Sequence, residues 1–354
     1  MQSDFLIVGG GVVGLTSARA LLQSGYRVTL VERGTVGREA SWAGGGILSP
    51  LCPWDYREAV TRLALRGMNQ FAETAAELQD FTGIDPEYRR SGLLLLPPCR
   101  AELARQWCAQ NQVALKSVAL EEYVLGLNGP GMLLPEIAQI RNPRLLHALR
   151  KCVEMLGGII LEQHEAQEFE ISGGRVIALH TSRGKFGSDA YIVAAGAWSK
   201  TLLGEHALHM DIRPIRGQIL LFKFDVPPFQ QILLKENLYF IPRRDGHVLV
   251  GSTLEDVGFD NSTTVEARDS LLCRVREIFP DWREQKPVRQ WAGFRPGSPD
   301  NIPTIGRHPR ITNLFANSGH YRYGVTMSFA SAGLLLNEIE GKAQPFGAEE
   351  YRWH

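Results

Sequence analysis

Apolar residues along the first part of the chain change period twice, and each change marks an element. Residues 4–8 form a short apolar run ending in Gly9-Gly10-Gly11, the pattern of a buried parallel strand feeding a tight turn. From 12 to 24 the pattern becomes helical, with Val13, Ala20 and Leu21 apolar and Gly14 and Ala18 small enough for close packing. Gly25 stands where a helix ends in a left-handed residue. Residues 27–32 alternate into a second strand, so 4–32 predicts one β-α-β unit.

Further along, residues 58–80 place Val60, Leu63, Ala64, Phe71 and Leu78 on one helical face. Asn142 and Pro143 predict another helix, with Asn142 as its N-cap and Pro143 at the first helical position, running to about 156 and stopping at Gly157-Gly158. Short strands are expected at 159–161, 166–171, 175–181 and 190–195. From 211 to 295 strands dominate (218–224, 238–242, 247–252), interrupted by one helix near 267–279, and a last helix is expected at 326–339. The pattern predicts an α/β chain (α+β overall). A Rossmann-like nucleotide-binding domain takes residues 1–80, 140–210 and 295–354, and a sheet-rich substrate domain (81–139 and 211–294) is inserted into it.

Composition narrows the class. At 354 residues the chain exceeds one compact core, which fits two intertwined domains. Lys+Arg and Asp+Glu both number 38, so the balance carries neither a nucleic-acid footprint nor an anionic-lipid anchor. The five cysteines (Cys52, Cys99, Cys108, Cys152, Cys273) are scattered and never spaced C-x-x-C, which argues for reduced thiols and against a zinc site. Met1-Gln2-Ser3-Asp4 lacks the basic region of a signal peptide, and the apolar stretch at 93–96 is far too short to span a membrane; a cytoplasmic protein is expected.

The run Gly9-Gly10-Gly11-Val12-Val13-Gly14 is a G-x-G-x-x-G between a predicted strand and helix. Gly9 allows the tight turn, Gly11 lets backbone approach a pyrophosphate, and Gly14 allows close helix–strand packing, with the helix N-terminus facing the phosphates. Glu32 ends the second strand, where a carboxylate accepts hydrogen bonds from a ribose diol and repels a 2′-phosphate. This fingerprint alone does not separate NAD from FAD. Three later segments point to a flat ring system: Ser41-Trp42-Ala43-Gly44-Gly45-Gly46-Ile47-Leu48, a small-residue loop; the strand end Ala195-Gly196-Ala197-Trp198; and Gly319-His320-Tyr321-Arg322-Tyr323-Gly324-Val325-Thr326, which leads into the last helix. The positive end of that helix suits the anionic edge of a reduced flavin.

These motifs, with the RPGSPDNIPTIG stretch at 295–306, occur in the order seen in glycine oxidases of the D-amino-acid oxidase family, which the chain resembles over nearly its whole length. The resemblance implies the D-amino-acid oxidase/glutathione-reductase-2 type of fold. It also implies non-covalent FAD, and no cysteine follows Cys273 to carry a covalent link. The implied reaction is hydride transfer from glycine, sarcosine or a small D-amino acid to flavin N5, giving glyoxylate or the corresponding 2-oxo acid, ammonia or amine, and H2O2. The imine is the expected supply for thiamine thiazole synthesis, and a tetrameric homo-oligomer is the expected assembly. By position, Arg295 matches the arginine that grips the substrate carboxylate, Tyr239 the tyrosine that assists it, and Arg322 a second arginine near substrate and flavin. Ile47 and Leu254 fall where apolar residues shape the pocket. The cofactor set so implied is Gly9, Gly11, Val13, Gly14, Glu32, Arg33, Ser41, Ala43, Gly44, Gly45, Gly46, Leu48, Ala166, Gly196, Trp198, His320, Arg322, Tyr323, Gly324, Val325 and Thr326. A guanidinium offers a planar fork that a lysine does not reproduce. The glycines and prolines flanking Arg295 and Arg322 predict fixed loops for both. His320, in a glycine-flanked turn, fits a flavin-contact role or an acid–base one. The chain departs from the family in having Tyr323 where many glycine oxidases carry asparagine, and 51–54 lies near the family's mobile element over the pocket. Other readings are an oxidase for sarcosine, dimethylglycine or D-amino acids, a dehydrogenase using a quinone, and a flavin-binding sensor.

Overall fold

The computed structural model describes residues 3–354; Met1 and Gln2, part of the stretch on which the expectation of no signal peptide rests, lie outside the described residues. Among the described residues a six-stranded sheet carries the glycine fingerprint. Its order is Thr304–Arg307, Leu314–Ser318, Ser188–Val193, Ser3–Val8, Val28–Val31, Ile159–Leu161. All pairings are parallel except the first. The central strands are apolar without alternation because both faces are covered, one by helices and the other by a three-stranded antiparallel sheet of Ala166–Ser172, Arg175–Thr181 and Gly184–Phe186. The first helix, Val12–Gln23, packs on the last helix, Gly324–Glu340, and on Asn142–Met155.

An eight-stranded sheet forms the second layer. Its order is Arg289–Gly297, Arg213–Lys223, His247–Gly251, Leu238–Pro242, Ile232–Lys235, Leu93–Leu95, Pro130–Leu134, Lys116–Ala119. It is antiparallel apart from the pairing of Ile232–Lys235 with Leu93–Leu95. One face is covered by the helix Val265–Ile278 and a ring cluster of Phe229, Phe240, Phe279 and Trp282. The other face looks toward the six-stranded half.

Several predicted elements shift. The helix expected at 58–80 runs Glu58–Thr82, and all five of its predicted core residues are buried. Asn142 is not an N-cap: it is the first helical residue and Arg141 precedes it as cap. Its Nδ2 donates instead to the carbonyls of Ser41 and Gly44, so the side chain faces the 41–44 segment and not the N–H groups of its own helix. The 41–48 segment is not a plain loop, because Ala40–Ala43 makes one helical turn and Ile47–Leu48 a short strand. Arg295 lies on the Arg289–Gly297 strand, where the ladder to Arg213–Lys223 outweighs the turn signals of Gly293, Pro296 and Gly297. Arg322 does sit in a turn between Leu314–Ser318 and the last helix.

No helix among the described residues is long and apolar enough to cross a membrane. All five cysteines are free, and no group of three His, Cys, Asp or Glu among the described residues is arranged to hold a metal ion.

Candidate active site

A cleft of about 370 Å³ runs between the two sheets. Its inner end is built by the fingerprint. Gly9 adopts φ 110°, and a Cβ there would run into the backbone of Ala194. A Cβ on Gly14 would overlap the Gly9 carbonyl oxygen, so the first helix meets its strand only because both are glycine. Gly9, Gly11 and Val13 line the cleft; Gly14 lies behind them. Gly11 caps the helix with no side chain of its own, and the Val12 N–H donates to Ser41 Oγ at 2.9 Å. Glu32 is buried at the same end. Its Oε2 accepts from Gly10 N–H at 2.8 Å and its Oε1 from Gly34 N–H at 2.9 Å. These two bonds fix the carboxylate and leave lone pairs for a diol. Arg33 places its Cζ 3.5 Å from the Trp198 ring centroid and donates to Glu39 at 2.5 Å. Ala166, Gly196 and Trp198 complete this end.

The middle of the cleft is walled by Ser41, Ala43, Gly44, Gly45, Gly46 and Ile47. Leu48, expected among them, points into the core at 1% exposure, since neighbours on a strand face opposite ways. The wall is held from behind by two side chains that the sequence did not assign to the site. Asn142 Nδ2 donates to the carbonyls of Ser41 (2.7 Å) and Gly44 (3.1 Å). Arg243, buried, donates to Gly45 O (2.7 Å), Ile140 O (3.0 Å) and Gln139 Oε1 (2.9 Å). Its guanidinium is spent on neutral oxygens, and burial with Arg141 nearby pushes its pKa down to about 10, so it remains charged at neutral pH. Nothing local marks Arg243 in sequence; its partners lie about a hundred and two hundred residues away.

At the outer end the eight-stranded sheet supplies the polar groups. Arg295 pairs with Ile215 and, one same-face position along the neighbouring strand, sits over Gly217. A Cβ on Gly217 would overlap the guanidinium itself. Arg295 Nη2 donates to Ser252 Oγ (2.5 Å), and Nη1 donates to the carbonyls of Thr253 (3.2 Å) and Arg216 (3.4 Å). No carboxylate pairs with it among the described residues. Burial lowers its pKa; Tyr239 beside it works the other way, and Arg322 adds to the lowering. Behind it Arg216 is locked by Glu255 (2.6 Å) and Asp260 (2.7 Å), which steadies the carbonyls that receive Arg295. Tyr239 lies opposite Gly251 on the adjacent strand, and a side chain at Gly251 would press on its hydroxyl.

The 319–326 turn closes the cleft. Arg322 is partly buried; burial opposes its charge, yet Tyr56, Tyr323 and Tyr321 together raise its pKa above the ordinary value. His320 is buried and its Nε2 has no hydrogen-bond partner among the described residues; burial pushes its pKa down to about 3. It is a neutral imidazole at physiological pH, which disfavours the acid–base reading. Tyr323, Gly324, Val325 and Thr326 bring the N-terminus of the last helix to the cleft, with no acidic residue in its first turn and no side-chain cap. Thr326 Oγ1 donates to Ile47 O at 3.1 Å, tying this turn to the glycine wall. Leu254 lies at the mouth, 52% exposed. So the cleft gathers every sequence-predicted site residue except Gly14 and Leu48, and adds Asn142, Asn237 and Gly217.

The cradle fits a long dinucleotide: bare glycine backbone along its length, a helix N-terminus at either end, and a buried carboxylate near one of them. A family model described as FAD dependent oxidoreductase matches residues 4–337. The chain is 42% identical over 349 residues to a glycine oxidase of Pseudomonas aeruginosa, spanning 97% of this chain and 96% of that protein. It is 31% identical over 348 residues to a bifunctional protein ThiO/ThiG of Synechocystis sp., spanning 95% of this chain and 51% of that protein. Among solved structures it is similar to glycine oxidase from Geobacillus kaustophilus, with a TM-score of 0.93, 26% identity, and coverage of 100% of this chain and 98% of that one.

Proposed function

This chain belongs to the FAD-dependent oxidoreductase family, and from that premise we propose that it is an oxidase of glycine and other small amino acids. The observation that carries the reading is Arg295: a guanidinium without a carboxylate partner among the described residues, held in a slot over Gly217 and facing the same cleft as the glycine cradle. A half-buried cation without an anionic partner is costly unless something compensates it, and a substrate carboxylate does so in a planar two-point grip.

Bound FAD supplies the chemistry of accepting a hydride equivalent from the amine carbon and returning it to O2 as H2O2. The chain would hold that cofactor through Gly9, Gly11, Val13, Glu32 and Arg33 at one end and Ser41–Gly46, His320 and residues 322–326 at the other. Arg295 and Tyr239 orient the carboxylate, so the reacting carbon is presented in one pose. Arg322 and the N-terminus of the last helix add positive potential where negative charge grows. His320, neutral and buried, lines that edge without adding charge to it. The imine leaves and is hydrolysed to glyoxylate and ammonia, or is passed on to thiamine thiazole synthesis, a reading supported by the similarity to ThiO/ThiG.

The same proposal assigns FAD to residues 1–80, 140–210 and 295–354, and the amine to 81–139 and 211–294. It is supported by the strands the six- and eight-stranded sheets draw on, although Arg289–Gly297 runs across one boundary and a small sheet of Ile47–Leu48, Ala138–Gln139 and Arg89–Arg90 joins the two parts. Assembly as a homo-oligomer belongs to this proposal too, and sedimentation of the holoenzyme measures it.

Peroxide release from the purified yellow protein tests the reading, with glycine, sarcosine, D-alanine, D-proline, dimethylglycine and ethylamine offered in turn. Turnover of glycine with none of ethylamine, which lacks the carboxylate, is expected. Equal turnover of ethylamine removes the role given to Arg295, and preference for a bulkier amino acid reassigns the substrate.

A further inference from the structure

The outer wall of the cleft is closed by two segments far apart in the chain. Residues 49–56 contribute Ser49 and Leu51 to the cleft and pack Leu51, Cys52 and Trp54 on the apolar cluster that holds Tyr239. The 319–323 turn contributes Tyr321, Arg322 and Tyr323. They meet through a hydroxyl pair, in which Tyr323 Oη donates to Tyr56 Oη across 267 residues of sequence. The rings stand edge to face with centroids 5.1 Å apart at 88°. The buried Tyr323 hydroxyl also interacts with the backbone of Leu51. Each segment bends through a non-glycine residue in the left-handed region, Cys52 at φ 50° and Tyr321 at φ 46°, and such residues persist where neighbours hold them.

We propose that the Tyr56–Tyr323 pair latches residues 49–56 across the cleft and thereby sets how much bulk a substrate carries on its nitrogen or α-carbon. Apart from the packing of Leu51, Cys52 and Trp54, the remaining polar ties of the segment are weak. Its regular structure is one 3-10 turn, Pro53–Asp55. Arg57 pairs with Asp300 at 3.0 Å between two exposed side chains, and exposed pairs of that kind hold little. Asp55 accepts from Arg100, also largely exposed. The hydroxyl pair differs from these in being shielded from water by the buried Tyr323. Removing the Tyr323 hydroxyl takes away the donor to Tyr56, and removing the Tyr56 hydroxyl takes away the acceptor of the Tyr323 O–H, so the two act as one unit. Leu51, beside that contact, is the cleft residue whose position follows the latch. Asparagine at 323 is too short to reproduce the contact, so the latch depends on the tyrosine.

The inference rests on reading the cleft as an amine site, and two measurements on the holoenzyme separate the two claims. The first is kcat/KM for N-ethylglycine relative to glycine. Tyr323→Phe and Tyr56→Phe are each expected to raise that ratio at least fivefold, and the double variant no further than the larger single effect. A ratio within twofold of the unmodified enzyme in both single variants, or a double effect equal to the product of the singles, overturns the latch. The second is tryptic cleavage after the exposed Arg57, followed by mass. At least a fivefold faster cut is expected in both variants, and an unchanged rate overturns the latch whatever the substrate. If the unmodified enzyme oxidises neither amine, the functional reading fails and the cleavage rates alone decide the latch.

Discussion

At its dinucleotide end the cleft is lined mostly by backbone, whereas at its amine end it is lined by side chains. The first end depends on what glycine leaves out: Gly9 against Ala194, Gly14 against Gly9, with one buried carboxylate, Glu32, fixed by two backbone amides. The second depends on what strand register brings together: Arg295 over Gly217 and Tyr239 opposite Gly251, with buried Arg216 paired to half-buried Glu255 beneath. A long polyanionic cofactor is held by many repeated amides and a helix dipole. A small substrate offers one carboxylate and needs one well-placed fork. The comparison teaches that the two ends should fail separately, one losing cofactor and the other losing substrate.

The sharpest break is at Gly14. Gly14→Ala puts a methyl group into the Gly9 carbonyl, and the protein is expected to emerge from gel filtration with less than about a tenth of its FAD. Full flavin content there would mean that the fingerprint does not set the cradle. At the other end Arg295→Lys keeps the charge but loses the fork. FAD content should be unchanged while kcat/KM for glycine falls about 1000-fold, or ~4 kcal/mol. A fall that came with flavin loss would merge the two ends. Gly217→Ala should push the guanidinium out of its slot and raise KM for glycine roughly 30-fold, more than it lowers kcat. Steady-state kinetics of the holoenzyme separate these terms.

The smallest effect concerns His320. Its folded pKa of about 3 lies below the ordinary imidazole value, so the unfolded chain binds more protons between those two limits. Its contribution is therefore fully present above about pH 6.5 and is lost as pH falls toward 3. Between pH 6.5 and 5, denaturant unfolding of the unmodified protein should lose up to about 1.4 kcal/mol per pH unit more than that of His320→Gln. Parallel slopes would mean that His320 is not held neutral.

The cofactor end was legible because its chemistry is local. Gly9, Gly11, Gly14 and Glu32 fall within one β-α-β unit, and spacing alone orders their roles. Leu48 shows the limit: a two-residue strand turns it into the core, which the small-residue run did not reveal. The amine end became legible through family resemblance, which picked out Arg295, Tyr239 and Arg322 but not their supports. Glycines inside strands read as weak points until register shows what stands over them, as at Gly217 and Gly251. Arg295 was expected on a loop because flanking Gly and Pro outvoted a strand pattern that only pairing reveals. Asn142 and Arg243 act on the 41–46 wall from a distance, and no window of sequence contains both ends of those contacts.

The most direct measurement mixes the oxidised holoenzyme with glycine under anaerobic conditions and follows the visible flavin absorbance. Rapid bleaching in the unmodified protein, restored by O2 with release of H2O2, and no bleaching on the same timescale in fully flavinated Arg295→Met is the predicted result. Flavin that stays oxidised with glycine, or that bleaches equally fast without Arg295, would contradict the account.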